Sequence, residues 1–253
     1  MSDHWLHALM VFDFSGVFQR KIGHVRGAGK GCFNRPSGLA SGTEVIFVAD
    51  TGNDRIQVLA ADGSFLREFG GKGTSAGCFD APCAVAFDRR AAVLAVSEVG
   101  NARVQLLNEF GVCLHILKDF AWARDHLLPH DRCLVVDQSG TVEEVGMPTG
   151  LEFNEAGLLF VTDGYYHRVL VFNNEWEAVQ KYGAGGGWDA VTPWLEPFCT
   201  LRRAQKALGY EKFAPLGGKA DEEFNCPVAV AVGRSGNILV ADTHNNRVQV
   251  FLT

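Results

Sequence analysis

Residues 45–59 read VIFVADTGNDRIQVL, and the same pattern returns as LLFVTDGYYHRVLVF at 158–172 and NILVADTHNNRVQVF at 237–251. A fourth copy, VLAVSEVGNARVQLL at 93–107, carries Glu98 where the others have Asp. In every copy an acidic residue (Asp50, Glu98, Asp163, Asp242) stands five positions before an arginine (Arg55, Arg103, Arg168, Arg247). A second shared string lies upstream: GCFNRP at 31–36, GCFDAP at 77–82 and EFNCP at 223–227, with a shorter MP at 147–148. A third lies downstream: DGSFLREFG at 62–70, NEFGVCLHIL at 108–117 and NEWEAVQKYG at 174–183.

Each unit reads as four short strands. A small-residue strand follows the proline, an apolar strand ends at the acid, a polar loop turns the chain, and R-[VI]-x-[VL] opens the third. A turn rich in Asp, Asn or Gly leads into a fourth strand that ends near glycine. Period-two alternation, β-branched side chains and turn residues every 8–12 positions favour strands over helices. Four-stranded units of about 40–50 residues are what propeller blades look like in sequence.

The strings G-x-F-[ND]-x-P and V-A-D-T-x-N-x-R-[VI]-Q-V-F resemble those of NHL-repeat β-propellers, over most of 9–117 and 148–183 and over 223–251. The expectation is an all-β, NHL-type β-propeller filling one domain, 1–253. Its four clear blades are 34–70, 80–117, 148–183 and 223–253. Successive motif arginines are 48, 65 and 79 residues apart, so two gaps exceed one blade. The first holds a degenerate fifth blade or hairpin at 118–147. The second holds an insertion, 184–222, in which PFCTLRRAQKALG (197–209) has the apolar spacing of a short helix. Segment 9–23 reads as strands three and four alone, and 227–252 as strands one to three. Joining the two would complete a blade and remove exposed edges; a piece of a longer array is the alternative.

Composition narrows the class. The chain has 253 residues, 29 of them glycine, with 47% hydrophobic residues and a formal charge of −6. That apolar content and 18 phenylalanines exclude a mainly disordered chain. No apolar run reaches the roughly 20 residues of a membrane helix, and MSDHWLHALMVFDF lacks the layout of a signal peptide, so a cytoplasmic location is the expectation. Seven cysteines without a C-x-x-C pair fit reduced, mostly buried thiols.

The recurring acids could form a ring of ligands. The plainer reading pairs each with the arginine after its loop, because a feature present in every repeat is structural more naturally than catalytic. Asn53, Asn101 and Asn245 cap the same loops. The resemblance also raises enzymes. VTDGYYHRVLVF (161–172) is similar to segments of propeller lyases that make peptide amides, whose zinc-binding histidines directly follow the blade-opening proline. Here those positions hold Ser37, Cys83, Thr149 and Val228. Propeller lactonases need acids on strand one, where only Glu152 stands. We therefore expect no catalytic, metal or cofactor-binding residues and no cofactor.

Binding is the better-supported expectation. Loops joining strands two and three share a face with the connections between blades. That face gathers Arg26, Lys30 and Arg35 from 23–36, Tyr165, Tyr166 and His167 from the third loop, and Trp188, Trp194, Arg202 and Arg203 from the insertion. The expected partner is another protein. Single-stranded RNA on a basic face is the alternative, which some NHL propellers bind, although the charge of −6 argues against it. The resemblance also extends to tripartite-motif ubiquitin ligases, so substrate recognition for a ligase whose catalytic modules lie elsewhere is a further option.

Overall fold

The computed structural model describes residues 1–23, 25–117, 134–136, 142–144, 147–164, 166–183 and 223–252. They fall into two compact units, Met1–Lys118 and Asp119–Thr253. The chain is all-β and built from propeller blades, with two single 3₁₀ turns, Thr51–Asn53 and Thr243–Asn245, interrupting the described strands.

The first unit opens with a three-stranded antiparallel sheet of β1 (Ser2–Asp3), β2 (Ala8–Phe12) and β3 (Phe18–Ile22). Two full blades follow. One holds β4 (Pro36–Ser41), β5 (Val45–Asp50), β6 (Arg55–Ala60) and β7 (Phe65–Gly70); the next holds β8 (Pro82–Asp88), β9 (Val93–Glu98), β10 (Arg103–Asn108) and β11 (Cys113–Leu117). In the second unit a two-stranded hairpin pairs β12 (Leu134–Val136) with β13 (Val142–Glu144), within the stretch read as a degenerate blade or hairpin. A full blade follows: β14 (Pro148–Phe153), β15 (Leu159–Asp163), β16 (Arg168–Phe172) and β17 (Ala178–Gly183). The last sheet has three strands, β18 (Pro227–Val232), β19 (Ile238–Asp242) and β20 (Arg247–Phe251). The helix expected at 197–209 lies outside the described residues.

Strand alternation explains why both sheet faces are apolar. In the β4–β7 blade, Phe47, Ala49, Ile56 and Val58 share one face and pack against Val85, Leu94, Val96 and Leu107 of the following blade. The opposite face presents Val48 and Leu59 to Leu9 of the first sheet. Phe160, Val169, Val171 and Tyr182 pack in the same way against Val230, Ile238, Val240 and Phe251 in the second unit. Each such Val, Leu, Ile or Phe side chain contributes about 1.5–3 kcal/mol on full burial, so the sandwiching of blades is the main source of stability.

The shared phenylalanine and glycine form a latch. Phe33, Phe79 and Phe224 are fully buried, each against the glycine that follows or ends the preceding sheet's last strand. A Cβ at Gly23 would lie 2.7 Å from Phe33, and one at Gly183 would lie 2.5 Å from Phe224; Gly70 stands in the same relation to Phe79. All three glycines have positive φ, so both the backbone and the close ring exclude other residues.

Candidate binding face

The register places each acid directly opposite its arginine: Asp50 and Arg55, Glu98 and Arg103, Asp163 and Arg168, Asp242 and Arg247. The carboxylates of all four acids are inaccessible to solvent. Arg55 Nε donates to Asp50 Oδ2 at 2.9 Å, Arg103 Nε to Glu98 Oε1 at 2.6 Å, and Arg247 Nε to Asp242 Oδ2 at 2.7 Å. Arg168 Nε donates to Asp163 Oδ2 at 3.1 Å.

The guanidinium groups reach further, into the connections that enter each blade. Arg55 donates to the carbonyls of Ala28, Gly29 and Cys32, and Arg103 to those of Thr74, Ser75 and Cys78. Asp50 Oδ1 accepts the Asn34 amide at 2.7 Å and Glu98 Oε2 the Asp80 amide at 3.0 Å. Asn53, Asn101 and Asn245 each donate to the carboxylate three residues before them. The Asp50–Arg55, Glu98–Arg103 and Asp242–Arg247 pairs are thus staples between a strand hairpin and the connection lying over it. Burial disfavours the charged form of Asp242, but hydrogen bonds from the Asn225 amide, Asn245, Arg247 and Gln249 outweigh it and hold its carboxyl below the usual aspartate range.

Two parts of this framework escaped the sequence reading. Gln57 and Gln105 lie two residues after the arginines, hence on the same strand face. Each donates to the acid and to a connection carbonyl, and its own carbonyl accepts the Gly31 or Gly77 amide. The signal was present as the Q of R-[VI]-Q; its second partner was not. In three places the residue just before the third strand also has a task. Asp54 Oδ1 accepts the amide of Ala81, immediately before the next blade's opening proline, at 2.9 Å. His167 Nδ1 does the same for Cys226 at 2.8 Å, and His7 Nδ1 for Arg35 at 3.0 Å. All three acceptors have positive φ, which turns their side chains toward the following sheet.

The position of His7 reveals a further repeat copy. β1 and β2 pair Asp3 with Ala8 in the register that pairs Asp50 with Arg55. DHWLHA (3–8) is therefore a strand-two-to-three loop with alanine in place of arginine, and only its five-residue spacing hinted at it. Asp3 Oδ1 accepts the Trp5 and Leu6 amides at 3.0 and 2.8 Å. The backbone is held while Trp5 stands 80% exposed and Leu6 52% exposed.

Of the residues expected on the face, Arg26, Lys30 and Arg35 are exposed in the 25–35 connection beside this loop. Arg26 Nε donates to Asn34 Oδ1, and Lys30 lies over the Phe65 ring at 5.7 Å. Tyr166 stacks with the Arg168 guanidinium at 4.6 Å, in the second unit. Tyr165, Trp188, Trp194, Arg202 and Arg203 lie outside the described residues.

Two titratable groups lie near the blade-opening strands. Cys83, after a blade-opening proline, has its thiol pushed up by burial, and its sulfur lies 3.2 Å from Ser97 Oγ. Burial likewise raises the carboxyl of Glu152. Among the described residues no group of three or more His, Cys, Asp or Glu side chains is placed to hold a metal ion.

Residues 224–251, which include the last of these staples, match the model of the NHL repeat. That stretch is an NHL repeat, in a chain built from β-propeller blades. It is 27% identical over 169 residues to the brain tumor protein of Drosophila melanogaster, a match that spans 66% of this chain and 14% of that protein. The blades here also resemble two solved propellers. Virginiamycin B lyase from Staphylococcus aureus aligns with a TM-score of 0.52 at 12% identity, over 99% of this chain and 64% of the lyase. A β-propeller domain from Myceliophteria thermophila aligns with a TM-score of 0.52 at 12% identity, over 97% of this chain and 59% of that one. At that identity the likeness is one of fold.

Proposed function

We propose that this chain is a non-catalytic platform for another protein, engaged through the face that carries the strand-two-to-three loops and the inter-blade connections. One observation carries the reading. The acids and arginines that could serve chemistry are tied into the ion pairs, whereas the side chains left exposed on the loops differ from repeat to repeat. Trp5 and Leu6 occupy the places of Gly52 and Asn53 in the next copy and of Gly100 and Asn101 in the one after. A constant frame with variable loops is how repeat scaffolds acquire partners. In this reading Trp188, Trp194, Arg202 and Arg203 of the insertion extend the surface, and the protein works in the cytoplasm.

The test is affinity capture with the wild-type chain, with Arg26→Glu/Arg35→Glu and with Trp188→Ala/Trp194→Ala, analysed for proteins and RNA in parallel. A protein retained by the wild type and lost from at least one variant supports the reading. Retention of RNA alone, weakening steeply with salt, would reassign the face to nucleic acid. A stoichiometric metal in the purified protein would reopen the enzyme reading.

A further inference from the structure

The loop 3–8 differs from its repeat counterparts in a way that folding does not need. In the next two copies the loop asparagine turns inward onto the buried acid, and glycine precedes it. Here the acid Asp3 binds the loop's own amides, and the two freed positions carry a tryptophan and a leucine into solvent. Val25, two residues beyond Gly23, is a third exposed apolar side chain at 67%. Gly23 is adjacent to this loop, because a Cβ there would lie 3.3 Å from the His7 carbonyl oxygen. The bond from the Arg35 amide to His7 Nδ1 fastens the far end of the connection to the same loop.

The connection 25–35 carries three cations and no acid, while the loop's one acid, Asp3, is bound to its own backbone amides. Arg26, Lys30 and Arg35 take part in none of the ion pairs found among the described residues, on a chain whose formal charge is −6. Arg35 sits at φ +54°, the conformation that Ala81 and Cys226 also take before the blade-opening prolines Pro82 and Pro227.

We propose that the loop 3–8 and the connection 25–35 dock an acidic protein segment, which seats one bulky apolar side chain on Trp5, Leu6 and Val25 while its carboxylates meet Arg26 and Arg35. The inference rests on the platform reading above and names the partner's chemistry at one place on that surface. An aromatic anchor flanked by aliphatic side chains, with cations at the rim, is the composition of a protein hot spot. A single-strand RNA site instead needs successive stacking aromatics along a basic groove, and this site has one indole between two aliphatics.

Fluorescence anisotropy of the full chain tests it with three labelled probes. These are a short Glu/Ser peptide with a central Phe, the same peptide with Lys for Glu, and a uridine oligonucleotide. The acidic peptide is expected to bind, to weaken as salt rises, and to lose at least about tenfold in affinity with Trp5→Ala or with Arg26→Glu/Arg35→Glu. Equal affinity for the acidic and basic peptides, indifference to Trp5→Ala, or preferential binding of the oligonucleotide overturns the proposal. Thermal melts of the variants exclude unfolding, since none of these side chains is buried. Capture of a protein by the wild type that survives Trp5→Ala leaves the platform reading standing and sinks this site; no protein captured under any condition sinks the platform reading itself.

Discussion

Replacing Glu98 with Gln tests the claim that the recurring ion pairs are structural staples. Four donors converge on this carboxylate: Arg103 Nε at 2.6 Å and Gln105 Nε2 at 2.7 Å on one oxygen, the Asp80 amide at 3.0 Å and Asn101 Nδ2 at 2.5 Å on the other. A glutamine offers one oxygen, so its amide group must face two of those donors. The Arg103 side chain, 4% exposed, also loses its counter-charge. Breaking a buried pair from one side costs about 3–5 kcal/mol. Three backbone carbonyls continue to accept from Arg103, which places Glu98→Gln at the lower end, about 3 kcal/mol. The control is Lys72→Met: Lys72 is 73% exposed and 3.4 Å from Asp80, a pair worth roughly 0.5 kcal/mol or less. Urea titrations followed by far-ultraviolet circular dichroism give both values, compared at a common slope. A loss below about 1 kcal/mol for Glu98→Gln, or a loss equal to that of Lys72→Met, would show that the pair does not hold the blade to its connection.

Three further expectations follow from the same framework. Gly183→Ala, at φ +97° and against the Phe224 ring, is expected to destabilise by about 2–4 kcal/mol through backbone strain and overpacking, read as a shift in the urea midpoint. Asp242 has its folded pKa depressed, so its contribution is complete above the unfolded value near 4 and is lost as pH falls through the folded one. Denaturation between pH 7 and 2 is expected to show an acid limb that flattens in Asp242→Asn, and an unchanged limb would remove Asp242 from the account. Cys83, half-buried and with a thiol raised by desolvation, is expected to label with maleimide more slowly in the folded protein than in urea; native labelling at that residue as fast as in urea, located by peptide mass analysis, contradicts its placement.

Much of the fold was legible because the repeat writes it several times. A single apolar string such as VIFVAD is ambiguous between a strand and a buried helix turn, but recurrence in register with proline upstream and glycine downstream removes the ambiguity. The acid and arginine of each staple were legible for the same reason. Their real targets were not. Arg55 reaches carbonyls some 23–27 residues away and Arg103 others 25–29 away, contacts that no local spacing encodes. Backbone carbonyls carry no sequence signature.

The candidate binding surface was legible only in part. Arg26, Lys30 and Arg35 stood out as cations in a glycine-rich connection. Trp5 and Leu6 did not, since DHWLHA loses the arginine that marks the other copies, and only the pairing of Asp3 with Ala8 identifies it as a repeat loop. His167, expected as a face residue, proves to accept the amide before the next blade's proline, a role visible only once two sheets are stacked.

The sequence by itself determined the all-β class, the blade as the unit and the residues that recur, because periodicity depends on local alternation and turn chemistry. The tertiary structure decided what those residues touch and which loop residues remain free. Hydrogen-bond partners and exposure are set by the sheet stacked alongside, which lies dozens of residues away in the chain.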